Sequence, residues 1–351
     1  MVIRTLRWMR RRPKRLAATA FAIAFTAVNV SAYLHAYSMT HFVEAGRRTP
    51  SPESLGFLAK ANVLVAGVQI PRPTNHVTPN HVGLDFDVRR FDGADGTSYE
   101  AWYVPGPPSA PLALLFHGYS ESKARLLDEA KAFHELGFGL LLVDFRGSGG
   151  SSGHETTIGY READDVAAAM AYARDRLARD RPILYGRSMG SAAVLRAVSA
   201  LQVEAAAIIL ESPFDRLLST VKNRFSAMGI PSFPCSELLV FWGGVQQGYS
   251  GFAHNPVEYA SAVTCPALLL HGSRDPRATI NQARSVFEQL AGAKTLVEFT
   301  NAGHEPCLKV DPQRWKQAVG GFLGRSPGQA RAAAHQMPIA EPGPDFTEGP
   351  H

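Results

Sequence analysis

Downstream of residue 84 the chain repeats one alternation, a short unbroken apolar run followed by a stretch of helical period. The runs are "LALLF" (112–116), "GLLLVDF" (139–145), "PILYG" (182–186), "AAAIILE" (205–211), "PALLLHG" (266–272) and "TLVEFT" (295–300). Helices are expected near 123–136, 160–177, 188–200, 280–290 and 311–322, with another after 211. Strands that are apolar on both faces and separated by helices belong in a parallel sheet covered on both sides. Ahead of them, "LDFDVRR" (84–90) and "TSYEAWYV" (97–104) alternate apolar and polar positions around the turn "DGADG". That pattern predicts a half-buried antiparallel hairpin at the edge of the sheet.

Residues 216–263 break the rhythm with "GIPSFPCSELLVFWGGVQQGYSGF". A loop that long is usually functional, so a small helical cap is expected over 216–263. Its apolar cluster Leu238, Leu239, Val240, Phe241 and Trp242 is expected to lie over the strand ends and wall a pocket, with Phe241 and Trp242 tuning its length. Residues 40–80 read as a linker with one short apolar segment (55–70), and 324–351, rich in Ala, Pro and Gly without periodicity, as a disordered tail. The folded domain is therefore expected to span 84–323.

The formal charge is +5, but residues 1–15 hold seven Lys and Arg and no acid, so the rest of the chain carries −2. No basic face remains for a nucleic-acid partner. Directly after the basic segment, "LAATAFAIAFTAVNVSAYLHAYSM" (16–39) contains no Asp, Glu, Lys or Arg. A helix needs about 20 apolar residues to cross a bilayer. One expectation is a transmembrane signal anchor, with residues 1–15 in the cytoplasm and the domain outside it. The other is a signal peptide cleaved after Val30-Ser31-Ala32, leaving a secreted or periplasmic protein. Apolar residues continue past Ala32, which favours the anchor. Three cysteines (Cys235, Cys265, Cys307) are too far apart for a zinc knuckle or a CxxC pair.

The chemistry centres on "LYGRSMGSAA". Gly186-Arg187-Ser188-Met189-Gly190 is a G-x-S-x-G pattern between an expected strand and an expected helix, where a tight turn lifts the serine above the sheet. An acid and a histidine follow in the order such an elbow requires. Asp275 in "LLLHGSRDPRAT" and His304 in "VEFTNAGHEPCL" each lie just past a strand's carboxyl end. His304 would take the Ser188 proton, and Asp275 would fix the imidazole tautomer. The oxyanion would be met by the backbone N–H of Met189 and of Tyr119 in "LLFHGYSESK", with His117 structural. "RGSGGSSG" (146–153) lacks the Lys-Ser/Thr of a phosphate loop. The His-Glu pairs at His134, His154 and His304 lack the second histidine of a zinc protease helix, so no metal or cofactor is expected.

From about 84 to 323 the chain resembles the α/β-hydrolase superfamily, with "LLFHGYSESK", "LLLVDFRGSGGSSG", "LYGRSMGSAA", "HGSRDP" and "NAGH" as its landmarks in order. It is most similar to the branch of serine aminopeptidase-like and depalmitoylase-like hydrolases, several of them membrane-tethered. The resemblance implies an α/β fold with a mostly parallel sheet, and hydrolysis of a carboxylic ester, thioester or amide. It also leaves Asp215 in "ESPFD" as an alternative acid. A serine aminopeptidase would need acids in its cap for a substrate ammonium, and 216–263 holds only Glu237 and Glu258. An ester or thioester with an apolar, lipid-like acyl group is therefore the favoured substrate. A peptidase or amidase, and a catalytically silent binding protein of the same fold, are the alternatives.

Overall fold

The structure is a computed structural model that describes residues 13–50, 56, 58–59, 63 and 67–324. Its centre is an eight-stranded sheet in the order β1-β2-β4-β3-β5-β6-β7-β8. The hairpin β1 (Asp87–Asp92) and β2 (Ser98–Val104) is antiparallel, and β2 runs antiparallel to β4 (Gly139–Val143). The remaining neighbours, β3 (Leu112–Phe116), β5 (Ile183–Arg187), β6 (Ala207–Glu211), β7 (Ala267–Gly272) and β8 (Lys294–Phe299), all pair in parallel.

The unbroken apolar runs become strands because both faces of the sheet are covered. In β3, Leu112, Leu114 and Phe116 enter one core layer while Ala113 and Leu115 enter the other. With α1 (Pro13–Thr40) leading the chain, the sheet helices are α2 (Leu127–Glu135), α3 (Glu162–Leu177), α4 (Met189–Leu201), α7 (Ile280–Gln289) and α8 (Pro312–Leu323). Helices α3, α4 and α7 close the first layer through Val166, Val194 and Val286. Helices α2 and α8 close the second through Phe133 and the fully buried Trp315. Between β6 and β7 lie α5 (Leu217–Met228) and α6 (Cys235–Gln247), whose Val221, Phe225 and Val240 form a separate small core.

Helix α1 is the one described helix long and apolar enough to cross a membrane, and its most apolar stretch is only 6% buried. Its second half nevertheless packs on α6. Ala32 and Ala36 are buried there, Trp242 Nε1–H donates to Asn29 Oδ1 (3.3 Å) and Gln246 Nε2–H donates to Tyr33 O (2.8 Å). The small side chains let the two backbones approach.

Where it is described, the 40–80 segment is docked instead of loose. Phe42 and Ile70 are buried, and Arg72 donates to the carbonyls of Gly149 (2.9 Å), Ser151 (2.5 Å) and Gly153 (3.1 Å). The glycine-rich 146–153 turn wraps a carboxylate of the protein itself. Asp144 accepts from Gly150 N–H (2.8 Å), Asn75 Nδ2–H (2.7 Å) and the buried Lys123 ammonium. A side chain on Gly149 would collide with that carboxylate. The basic segment before residue 13 and the chain beyond Gly324 lie outside the described residues.

Candidate active site

Strand β5 ends where the elbow begins. Ser188 sits at φ 53° and ψ −111°, a conformation that L side chains rarely adopt, and α4 starts at the next residue. Both elbow glycines are dictated by contact. A Cβ on Gly186 would come within 2.5 Å of the Gly190 carbonyl, and one on Gly190 within 2.4 Å of Phe116 O. The turn can close only if neither residue has a side chain.

The loops after β7 and β8 bring their residues to the same place. Ser188 Oγ lies 3.0 Å from His304 Nε2, and His304 Nδ1 lies 2.6 Å from Asp275 Oδ2. A carboxylate only accepts, so Nδ1 carries the imidazole proton and Nε2 offers its lone pair to the Ser188 hydroxyl. Asp275 is buried, and its other oxygen accepts the backbone N–H groups of Arg277 (2.7 Å) and Ala278 (3.0 Å). Burial alone would raise its pKa. The hydrogen bond and charge of His304, with those two amides, outweigh burial and hold it below the ordinary carboxylate value.

Asp215 lies elsewhere in the bond network. Its carboxylate accepts from the Arg216 N–H (2.7 Å) and faces Ser219 Oγ (3.5 Å) at the start of α5, and burial raises its pKa. It makes no bond to His304 among the described residues. His117 is fully buried with both ring nitrogens engaged. Nδ1–H donates to Gly118 O (2.8 Å), and Nε2 accepts the Phe145 N–H (3.1 Å). It shapes the loop after β3 and is shielded from solvent.

That loop carries Tyr119, which lines a cavity of about 200 Å³ together with Ser188, His304, Gly118 and Met39. No acceptor among the described residues takes the backbone N–H of Tyr119 or of Met189. The Tyr119 hydroxyl is engaged, donating to Met39 O at the end of α1 (2.5 Å).

A buried ionic network beneath the site was not visible in the sequence pattern. Arg187, the residue before Ser188, pairs with Glu121 (2.5 Å) and Glu129 (3.2 Å). Glu121 also accepts the Gly118 N–H (3.0 Å), which ties the loop after β3 to the elbow. Burial pushes the Glu129 carboxyl up to about 7, whereas Arg187 holds Glu121 below its ordinary value against the effect of burial. Glu211, at the end of β6, accepts from Tyr185 Oη–H (3.0 Å), Trp315 Nε1–H (3.0 Å) and Cys307 N–H (2.9 Å), and so fixes the chain just past His304. These residues are scattered through the sequence, and the only sign of them was a charge inside an otherwise apolar strand end.

The cap also differs from expectation in which side chains face inward. Phe241 is half exposed, and Trp242 stacks edge-on against Tyr33 of α1 at 5.5 Å. Neither lines the cavity at Ser188, which Met228 borders, nor the neighbouring cavity beside α1, which Leu239, Val221 and Phe225 line. The cause is α1, which occupies the face of α6 that Trp242 covers.

A sheet of this order, an elbow after its fifth strand and Asp and His loops after the seventh and eighth make up the α/β-hydrolase fold. Residues 107–231 match the serine aminopeptidase S33 family. Among curated relatives, an uncharacterised protein of Mycobacterium tuberculosis is 27% identical over 234 residues, 65% of this chain and 76% of its own. The lysophosphatidylserine lipase ABHD12 of Rattus norvegicus is 23% identical over 206 residues, 57% of this chain and half of that protein. Among solved structures, the Pyrococcus furiosus esterase Pf2001 superposes with a TM-score of 0.62 at 25% identity, covering 73% of this chain and 96% of that one.

Proposed function

We propose that the chain is a serine hydrolase that cleaves a carboxylic ester or thioester bearing an apolar acyl group. The observation that carries this reading is the continuous run of short contacts from Ser188 Oγ through His304 to a buried, ionised Asp275. Ser188 Oγ attacks the acyl carbon and its proton passes to His304 Nε2. The amides of Met189 and Tyr119 stabilise the oxyanion, and the imidazolium is stabilised by Asp275. The bond to the leaving group breaks as His304 returns the proton to it. Water then attacks the acyl-enzyme by the same route, giving the acid and free Ser188. The esterase and lipase among the similar proteins support an ester over an amide, as does the scarcity of acids in the cap.

The test is a fluorophosphonate probe on the full-length protein. Labelling should map to Ser188 and vanish in Ser188→Ala while the thermal transition is retained. Labelling that survives in the alanine variant overturns the assignment.

A further inference from the structure

A second cavity of about 420 Å³ lies between α1 and the cap helices. It shares Met39, Val63, Val68, Arg224 and Met228 with the cavity at Ser188, so the two lie side by side with only those side chains between them. Its wall is largely apolar. Ala27, Val28, Ala32 and Met39 of α1 face Val221, Phe225 and Leu239 of the cap. Met39 touches both cavities, whereas Ala27 and Val28 mark the end away from Ser188. At 1.5 Å per residue those twelve steps of helix span about 18 Å. The apolar cavity that borders the one at Ser188 is thus half built from α1.

Two further observations say what surrounds its outer end. From Leu16, where the charge-free run begins, to Val28, before α1 docks on α6, the helix runs only about 20 Å, short of a hydrocarbon core of about 30 Å. To be spanned, the bilayer must reach down to the docked half and meet the cap. The cap is suited to that. Helix α6 carries one charged residue, Glu237, which is paired with Lys222 (2.9 Å), and the cap exposes Phe233 (74%), Val245 (55%) and Phe241 (48%). These are large apolar side chains beside an apolar helix, where a soluble face would be charged.

We propose that α1 and α6 seat the cap in the bilayer, and that the cavity between them receives the acyl chain of a membrane lipid ester. The membrane helix is then a wall of the substrate site as well as an anchor. This rests on Ser188 being the nucleophile proposed above.

The test uses the full chain in phosphatidylcholine vesicles and a long-chain alkyl fluorophosphonate with a diazirine near the end of the chain. Ser188 Oγ displaces fluoride at phosphorus, and irradiation then joins the chain end to whatever lies beside it. Peptide mapping should find the crosslink on α1 within residues 27–39 and on the cap within 221–239. In parallel, Ala32→Trp should lower the palmitate-to-butyrate ratio of kcat/KM for p-nitrophenyl esters at least tenfold, and Val28→Trp should lower it in the same direction. Ser188 labelled but crosslinked outside these segments, or an unchanged ratio in both variants, overturns the acyl cavity and leaves the nucleophile standing. No labelling at Ser188 in the unmodified chain overturns both.

Discussion

Ser188 occupies a strained backbone position that only its surroundings can hold, and those surroundings are specific. The elbow is clamped by two glycines that admit no Cβ and by the Arg187–Glu121–Gly118 chain of bonds beneath it. Geometry also separates the two candidate acids. Asp275 is bonded to His304 at 2.6 Å, whereas Asp215 is spent at the start of the cap. Asp275→Asn should therefore lower kcat by on the order of ten-thousandfold, because an amide stabilises neither the tautomer nor the imidazolium. Combining it with His304→Ala should cost far less than the product of the two. Asp215→Asn should change kcat by less than about threefold, and steady-state kinetics on one p-nitrophenyl ester decides the comparison. A severe loss at Asp215 with a mild one at Asp275 would move the acid. Since Asp275 is held below its ordinary pKa, its charge is present above about pH 4 and lost only in stronger acid.

At the level of elements, the sheet was the most legible part of the sequence. Runs such as "LALLF" are apolar at every position because both faces are buried, and no surface helix tolerates that pattern. The elbow and the two loop residues were legible for a related reason, since they follow strand ends whose positions the runs mark. The ionic network was not, because Glu121, Arg187 and Glu211 become neighbours only through the strand order. The inward face of α6 was also hidden. Helix α1 is apolar all round, so its sequence does not say which side packs, and Trp242 turned towards it instead of towards the pocket. A second buried group in this region was equally hidden. His254 lies among Tyr160, Phe214, Tyr249 and Tyr259 and donates to Ile158 O (3.0 Å). Burial drives its pKa from 6.5 down to about 4, in spite of Glu162 nearby and with Arg196 acting in the same direction as burial. Between pH 6.5 and 4 the unfolded chain binds a proton here that the folded chain refuses, so stability falls as pH falls through that window. The buried His117 and His271, also lowered, act with the same sign. His254→Gln keeps a donor for Ile158 O and removes one titration. It should flatten the dependence of unfolding free energy on pH by up to about 1.4 kcal/mol per pH unit, read by urea unfolding at a series of pH values. A slope equal to that of the unmodified protein would show that His254 is not the group that titrates.

For the molecule as a whole, the questions are whether α1 holds the domain at a membrane and which side of it the site would then face. Seven positive charges precede Leu16 and no acid balances them, which should hold the N-terminus in the cytoplasm and carry the domain across. Cleavage after Ala32 would remove Asn29, the partner of Trp242, and much of the α1 wall of the apolar cavity. It would leave Ala36, Tyr37 and Thr40 as a short helical stub on α6, too short to be helical alone in water. A helix that the domain needs for its packing is expected to be retained. In Escherichia coli, an alkaline phosphatase fused after Ala45 should be active and a β-galactosidase fused there inactive. The isolated full-length protein should keep its N-terminal segment by intact mass and remain in the membrane fraction after an alkaline carbonate wash. The opposite fusion pattern would place Ser188 in the cytoplasm. A mature chain beginning at Tyr33 would instead show that the domain holds together without the first half of α1, so α1 would be a leader and the acyl cavity would lose one of its walls.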